Sequence, residues 1–237
     1  MKRDLLARIR RDVAEKQPVV LATTLSSGES RLVYPFAEEV GADPALRAAA
    51  REAALQDQSR VVEIPGGEVF LRVFNPPVRV IIVGAVHVAQ ALSQMVRQAG
   101  YDVLVVDPRR SFATGERFPG IPLSGEWPDE AMARLGLDRR TAVVTMTHDT
   151  KIDDPALAAA LRSDSFYVGA LGSRKTQAAR RERLRAMGFG DRDLARIHGP
   201  VGLAIGAVSP GEIAVSILAE LVDRLRRPGG TEAQAGA

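Results

Sequence analysis

The stretch that most constrains the fold of this chain is 78–109, which reads VRVIIVGAVHVAQALSQMVRQAGYDVLVVDPR. Residues 80–83 form a continuous apolar, β-branched run, which is typical of a parallel strand buried on both faces. Gly84 interrupts this run, and apolar residues then recur at helical spacing over 87–99. A second apolar run, ending in an aspartate, follows at 103–107. Strand, glycine turn, helix, strand and acidic residue together predict the βαβ unit that opens a dinucleotide-binding fold.

The glycine turn departs at one position from the G-x-G-x-x-G/A fingerprint of nucleotide-binding turns. Its sequence is GAVHVA, so Val86 stands where the middle glycine normally lets a pyrophosphate approach the helix N-terminus. Because two γ-methyl groups would occupy the space of the phosphate, we expect the fold without bound NAD(P). Asp107 lies 23 residues after Gly84, about where a ribose-binding acid belongs. An aspartate before Pro108 could equally form a turn or be solvated, and the sequence leaves these alternatives open.

The clearest domain boundary is Asn75-Pro76-Pro77, because two consecutive prolines enforce an extended, stiff backbone. The sequence of residues 1–75 predicts a small α+β domain, which contains a first helix, two hairpins and an alanine-rich helix over 44–56. Asp43 is the predicted N-cap of that second helix. The chain from residue 78 to residue 227 predicts a Rossmann-like α/β domain with a doubly wound parallel sheet.

Two expectations concern the later part of the chain. Within the α/β domain, Asp154 is predicted to cap a helix whose first residue is Pro155. Ser209-Pro210-Gly211-Glu212 has the spacing of a capping box and predicts the start of the last helix. The Gly- and Ala-rich tail, 228–237, is expected to be disordered.

Composition excludes several classes of protein. The chain contains no cysteine, so it can hold neither a disulfide, nor a thiolate metal site, nor a persulfide. A formal charge of only +3 and few aromatic residues do not favour a nucleic-acid partner. No apolar run is long enough to span a membrane, and the first residues, MKRDLLARIRRD, lack the apolar core of a signal peptide. We therefore expect a cytoplasmic protein.

Candidate binding residues lie in loops that follow the predicted strands of the α/β domain. In such sheets ligands bind beyond the carboxyl ends of the strands. Four loops qualify, and two of them bring histidines, His87 and His148, towards this edge. These histidines could be ligand-binding or could simply form structural hydrogen bonds. The residues singled out in the first three loops are Gly84, Val86, His87 and Val88, then Asp107 and Arg109, then Thr147, His148 and Asp149.

The fourth loop, GALGSRKT, predicts an anion site. A strand runs into Gly172, and a helix then begins with Ser173, Arg174 and Lys175. The free N–H groups and the dipole at a helix N-terminus favour an anion, to which the two cations would add full charges. The alternative is a capped helix with two solvated basic residues. Positive charges oppose the dipole at this end, so an anionic ligand would relieve a local cost.

The α/β part of the chain resembles the Rossmann domain of the XdhC/CoxI family, which serves the maturation of xanthine dehydrogenase and carbon monoxide dehydrogenase. The resemblance spans residues 70–222 and departs from the usual family pattern at Val86, where a glycine is common. It departs again in residues 1–75, which lack the family's Gly-rich, cysteine-containing segment. The matching stretches, in order, are RVFNPPVRVIIVGAVHVAQAL, VVDPRRSFATGERFPG, TMTHDTKIDDPAL, YVGALGSRKT and IHGPVGLAIGAVSPGEIAVSILAEL.

The resemblance implies a chaperone that binds molybdenum cofactor (molybdopterin) as cargo, protects it during sulfuration and delivers it to an apo-molybdenum hydroxylase. A cysteine desulfurase would be a further partner, and a homodimer is expected. This accessory role, rather than catalysis, is the favoured hypothesis. Two alternatives stay open: an NAD(P)-dependent oxidoreductase, which Val86 opposes, and a non-catalytic module that senses a nucleotide.

Overall fold

The structure, a computed structural model, describes residues 3–37 and 43–227. The described chain divides into two compact units, one formed by the described residues up to Pro76 together with Arg226 and Arg227, the other by Pro77–Leu225. The division falls inside the Asn75-Pro76-Pro77 stretch. The predicted disordered tail, 228–237, lies outside the described residues.

The first unit is a small antiparallel sheet with helices. Helix α2 begins after Asp43, whose carboxylate accepts a hydrogen bond from the Ala45 amide at 2.9 Å, as the sequence predicted. Its alanine-rich face packs with Leu46 against the sheet, with Val20 and Leu71 in the same buried cluster. The elements are α1 (Arg3–Ala14), β1 (Val19–Thr24), β2 (Ser30–Val33), α2 (Pro44–Gln56), β3 (Arg60–Ile64) and β4 (Gly67–Phe74), and the strand order is β2-β1-β4-β3.

The second unit is a six-stranded parallel sheet in the order β10-β9-β8-β5-β6-β7. From β5 the chain first builds outwards through β6 and β7, then returns to add β8, β9 and β10 on the other side. This is the doubly wound Rossmann order that the sequence predicted, with its switch point between β5 and β8. The elements are β5 (Arg79–Val83), α3 (His87–Gln98), β6 (Asp102–Val106), β7 (Leu123–Ser124), α4 (Pro128–Leu135), β8 (Thr141–Thr145), α5 (Thr150–Leu161), β9 (Tyr167–Ala170), α6 (Arg174–Ala186), α7 (Asp191–Leu194), β10 (Ile197–His198) and α8 (Pro210–Arg226).

Helices cover both faces of the parallel sheet. Val80 and Ile82 point to the face covered by α3 and α8, whereas Ile81 and Val83 point to the face covered by α4 and α5. All four side chains are fully buried. Alternate residues of a strand face opposite sides, so a strand buried on both faces must be apolar throughout. This explains the uninterrupted apolar run from which the fold was predicted.

One predicted helix start is wrong. Helix α5 begins at Thr150 rather than at Pro155, and its N-cap is Asp149, whose carboxylate accepts from the Lys151 amide at 2.9 Å. Pro155 therefore lies inside the helix, where its missing N–H removes one backbone hydrogen bond. Asp154 does not cap the helix; it accepts two hydrogen bonds from Arg183 of α6.

Candidate functional site

The loops after β5 and β8 touch at the switch point of the sheet. Gly84 has a φ of +110°, in the region that only glycine adopts without strain. A Cβ atom added to it would lie 2.4 Å from Cγ2 of Thr147 and 3.3 Å from the Thr147 backbone nitrogen. Two of the predicted site residues are thus brought into direct contact, and a glycine is required for that contact.

Asp107 organises the turn that follows β5. Its buried carboxylate accepts from the Ala85 amide and from Nη2 of Arg109 on one oxygen, each at 2.8 Å. The other oxygen accepts from the Arg109 amide and from Nε of Arg109, each at 2.9 Å. These bonds fill the acceptor positions of a carboxylate, so a ribose hydroxyl has none left to use. Of the two alternatives that the sequence left open, the geometry supports the turn-forming one.

The electrostatics of this pair follow from the same bonds. Burial by itself would raise the pKa of Asp107, but hydrogen bonds from the Arg109 side chain and from the Ala85 amide hold that pKa below its ordinary value. The hydrogen bond to Asp107 in turn raises the pKa of Arg109, and the negative charges of Asp149 and Asp153 add to this effect.

At the first turn of α3, the polar groups available to a ligand are the backbone amides and the imidazole of His87. Val86 is the N-cap residue, in an extended conformation, and contributes no side-chain capping bond. Its side chain is half-buried and packs against the core, while that of Val88 is buried in it. His87 is exposed. Any ligand at this turn would therefore meet the backbone amides, the outer surface of Val86 and the His87 ring.

The loop after β8 has an unusual backbone. His148 is exposed and has a φ of +67°, a left-handed conformation that is uncommon for residues other than glycine. Asp153, from the first turn of α5, stabilises it by accepting from the His148 amide at 3.2 Å. The same carboxylate accepts from Oγ1 of Thr147 at 2.7 Å and from its amide at 3.2 Å. Asp153 therefore fixes the backbone that presents His148 and Asp149.

A buried ion pair connects this loop to the loop after β9. Nη2 of Arg180 donates to Asp153 at 3.2 Å and to the Leu171 carbonyl at 3.1 Å. Nη1 of Arg180 donates to Oε1 of Gln177 at 2.6 Å, and the Gln177 amide nitrogen donates to the Ala170 carbonyl at 2.8 Å. Burial lowers the pKa of Arg180, and the charge of Asp153 opposes that shift.

Neither Asp153 nor Arg180 was predicted from the sequence to belong to the site. Arg180 is one of many arginines in α6, and the incorrect helix start at Pro155 placed Asp153 outside the predicted helix. One signal was available: Gln177, Arg180 and Leu184 recur at three- and four-residue spacing, which marks the buried face of the helix. A charged residue on that face requires a buried partner.

The N-terminus of α6 combines a cap with two available cations. Oγ of Ser173 accepts from the Thr176 amide at 3.2 Å, and Gly172 has a φ of +136°. Arg174 and Lys175 are exposed, and in the described part of the chain neither makes an ion pair or a side-chain hydrogen bond. The cap satisfies one backbone donor, and both positive charges remain free for an anion.

The third histidine, His198, is part of a different cluster. Its Nδ1 lies 2.9 Å from Oε1 of Glu220, and its ring stacks on Tyr167 with centroids 4.6 Å apart. Tyr167 also donates to Glu220, so the three side chains are mutually satisfied. Within residues 3–37 and 43–227 no group of three His, Cys, Asp or Glu side chains is arranged to hold a metal ion. No helix of the same residues is long and apolar enough to cross a membrane.

Residues 80–221, which include every loop described above, match the family model described as the XdhC Rossmann domain. The chain belongs to the XdhC family. One curated relative is the molybdenum cofactor insertion chaperone PaoD of Escherichia coli, 32% identical over 62% of this chain and 40% of the relative. Another, from Bacillus subtilis, is named as a probable subunit of xanthine dehydrogenase and is 30% identical over 74% of this chain and 54% of the relative. A third is the uncharacterised protein YqeB of Escherichia coli, 32% identical over 68% of this chain and 30% of that relative.

This XdhC-family chain therefore spans about a third to a half of the length of these curated relatives. A crystal structure of a xanthine dehydrogenase from Bacillus halodurans superposes with a TM-score of 0.67 and covers 99% of this chain and 67% of its own. At 23% identity, that likeness shows a shared fold.

Proposed function

We propose that this protein is an accessory factor that binds molybdenum cofactor and supports its sulfuration and its insertion into a molybdenum hydroxylase such as xanthine dehydrogenase. The observation that carries the proposal is the pair of free cations, Arg174 and Lys175, at the α6 N-terminus of an XdhC-family domain. The names of two relatives, a molybdenum cofactor insertion chaperone and a probable subunit of xanthine dehydrogenase, support the same role.

The residues present fit the chemistry of such a cargo. The cofactor carries a phosphate dianion, which requires N–H donors and positive charge, and the start of α6 offers both at Gly172, Ser173, Arg174 and Lys175. The first turn of α3, Gly84 to Val88, is the alternative phosphate site. The pterin offers donors and acceptors that His148, Asp149 and His87 could match from the neighbouring loops.

The chain can hold the cofactor but cannot supply its sulfur. It has no cysteine, and a persulfide requires one. A cysteine desulfurase is therefore the partner that we propose for the sulfur-transfer step, and an apo-molybdenum hydroxylase is the partner that receives the product. This chain's part is to bind the cofactor and to exclude water from it.

The two alternative functions are less well supported. An NAD(P)-dependent oxidoreductase needs room for the pyrophosphate at Val86 and a free carboxylate at Asp107, whose acceptor positions are occupied. A nucleotide-sensing module would be recognised by an adenine nucleotide that co-purifies with the protein. Mass spectrometry of ligand released from natively purified protein distinguishes the three functions: pterin with molybdenum supports the proposal, whereas a nicotinamide or an adenine nucleotide alone contradicts it.

Substitution tests the proposed phosphate site. The double variant Arg174→Ala, Lys175→Ala should weaken cofactor binding by about 2–4 kcal/mol if both side chains contact the phosphate. Arg181→Ala, which removes an exposed cation further along α6, is the matched control and should retain the cofactor. The readouts are cofactor retained after gel filtration and activation of an apo-hydroxylase. If the double variant behaves as wild type, the site is misplaced and the α3 turn becomes the candidate.

The variant His148→Ala tests the part of the proposed site that would contact the pterin. The His148 side chain is exposed, so its removal should leave folding intact but reduce delivery of active cofactor to the apo-hydroxylase. Wild-type delivery would remove His148 from the proposed site.

We also propose that the chain acts as a homodimer. The small antiparallel sheet and its two helices form a limited core, and units of this size commonly gain stability by association. Light scattering over a range of protein concentrations is the test, and a monomer at every concentration would contradict the proposal.

A further inference from the structure

The loop after β6 carries an exposed aromatic ring between two arginines. The guanidinium carbon of Arg109 lies over the ring of Phe112, 4.4 Å from its centroid. The guanidinium carbon of Arg117 lies 5.7 Å from the same centroid and 5.8 Å from that of Phe118. Phe118 is buried in the core, whereas Phe112 is 40% exposed. A large apolar ring is thus held at the surface, beside the loops of the candidate site.

This arrangement is held rigidly. Asp107 binds Arg109 through both carboxylate oxygens, which fixes the plane of the guanidinium. The Phe112 amide donates to the Arg109 carbonyl at 2.9 Å, and Nη1 of Arg117 donates to the Phe112 carbonyl at 2.6 Å. Phe118 anchors the end of the loop in the core. The loop would therefore lose little conformational freedom when a ligand binds.

Part of the Arg109 guanidinium remains available. The ring of Phe112 lies on one side of the group, yet the Arg109 side chain is 32% exposed. The side-chain hydrogen bonds of Arg109 to Asp107 come from Nε and Nη2. Its Nη1 makes no hydrogen bond to any described residue. A guanidinium that lies over one aromatic ring and keeps part of its surface exposed can stack a second planar ring.

Two further cations lie on the same loop. Arg110 is exposed, and neither Arg110 nor Arg117 forms an ion pair with any carboxylate of the described chain. Arg117 uses its hydrogen bonds on neutral groups, namely the Phe112 carbonyl and, with the amide suitably oriented, Gln90 in the first turn of α3. Its positive charge is therefore not neutralised by a carboxylate of the described chain, and its contact with Gln90 places it beside the first turn of α3.

We propose that Arg109 and Phe112 form a stacking site for a planar nitrogen heterocycle that carries a phosphate. The heterocycle stacks on the open face of Arg109, which Phe112 supports from the other side. Arg110 and Arg117 supply positive charge for the phosphate. Both a pterin phosphate and a nucleotide have this chemistry. A ligand held here places its phosphate at Arg110 and Arg117, as an alternative to the start of α6. The proposal identifies a ring-binding role for residues outside the phosphate site at α6, and it does not depend on the cargo proposed above.

The test is calorimetric titration of the full chain with AMP, CMP, GMP and a pterin phosphate, with ribose 5-phosphate and inorganic phosphate as ligands that lack the ring. At least one ring-bearing ligand should bind ten-fold or more tightly than ribose 5-phosphate. A preference for the pterin or for one nucleotide identifies the source of the ring, and either supports the site. Equal binding of ribose 5-phosphate and every ring-bearing ligand overturns it.

Two variants separate stacking from charge. Arg109→Lys keeps the positive charge but removes the planar surface, and Phe112→Leu keeps the apolar volume but removes the supporting ring. Each should lose ten-fold or more in affinity for the ring-bearing ligand, with little change for inorganic phosphate. Arg162→Lys, which alters a comparable stack on Phe189 elsewhere in the domain, is the control. Since Phe112 is exposed, its variant remains informative if Arg109→Lys disturbs Asp107.

Wild-type affinity in both variants overturns the stacking site. Cofactor retention by the Arg174→Ala, Lys175→Ala variant is a separate measurement, so either proposal can fail while the other stands.

Discussion

Arg180 donates a hydrogen bond to Asp153 at 3.2 Å between two side chains that are each 2% exposed. The two residues come from α6 and α5, and each also binds the backbone of a loop at the carboxyl ends of the strands. Asp153 holds the loop that carries His148, and Arg180 holds the Leu171 carbonyl next to the α6 N-terminus. The ion pair therefore links the two loops through their backbones.

Breaking this pair should be costly. Asp153→Asn leaves the Arg180 charge buried without a counter-ion, and we expect a loss of about 3–5 kcal/mol in the free energy of unfolding, measured by urea titration. Asp164→Asn removes the acid of an exposed pair with Arg139 and should cost less than about 1 kcal/mol. Similar losses in the two variants would show that the buried pair has no special role.

The contact between Gly84 and Thr147 predicts a second effect. Gly84→Ala combines a strained positive φ with a clash against the Thr147 methyl group, so we expect a loss of about 1–3 kcal/mol. Adding Thr147→Ser removes that methyl group and should recover the steric part only. Gly125→Ala is the control, since nothing lies within 4 Å of its added Cβ and its φ is not positive. Full recovery in the double variant would mean that the backbone is not strained.

Val86 predicts weak binding of nicotinamide cofactors. The wild-type chain should bind NAD(H) weakly or not at all by titration calorimetry, because the Val86 side chain lies at the turn that a pyrophosphate would approach. Val86→Gly should increase the affinity and, because Val86 packs partly against the core, should also lower the thermal stability. A low-micromolar dissociation constant for the wild-type chain would contradict the steric argument.

Asp107 predicts a pH dependence of stability. Its pKa in the folded chain is lowered, so the unfolded chain binds the proton more tightly. The stabilisation is complete above the ordinary aspartate pKa of about 3.9 and is lost as the pH falls through the lower folded value. Below about pH 4, the urea midpoint of unfolding should decrease less steeply with falling pH for Asp107→Asn than for the wild-type chain. Equal slopes would show that another group controls acid unfolding.

The features that the sequence predicted correctly depend mainly on neighbouring residues. The helix that follows Asp43 begins and ends where its cap and its alanine-rich pattern indicated. The last helix begins at the predicted capping box, in which Glu212 accepts from the amides of Ser209 and Val208, each at 2.8 Å. The two-residue strands β7 and β10 were not predicted, since such short pairings carry no periodic signal.

The candidate site was predicted only as a set of loops. That Gly84, Arg109 and Thr147 belong near one another followed from the rule that parallel strands end at one edge. The role of each side chain did not follow. Asp107 could bind a ribose or form a turn, and the choice depended on whether Arg109 and the amide of Ala85 occupy its carboxylate.

The sequence by itself determined the fold class, because the apolar runs and glycine turns of a βαβ unit are local and periodic. It also determined that the chain carries no sulfur donor. Only the tertiary structure decided which charged residues are buried: Asp153 and Arg180 stand 27 positions apart, and nothing in either neighbourhood specifies the other. The physical reason is that a buried charge requires a partner supplied by packing, whereas caps and strands are specified by residues that are adjacent in the chain.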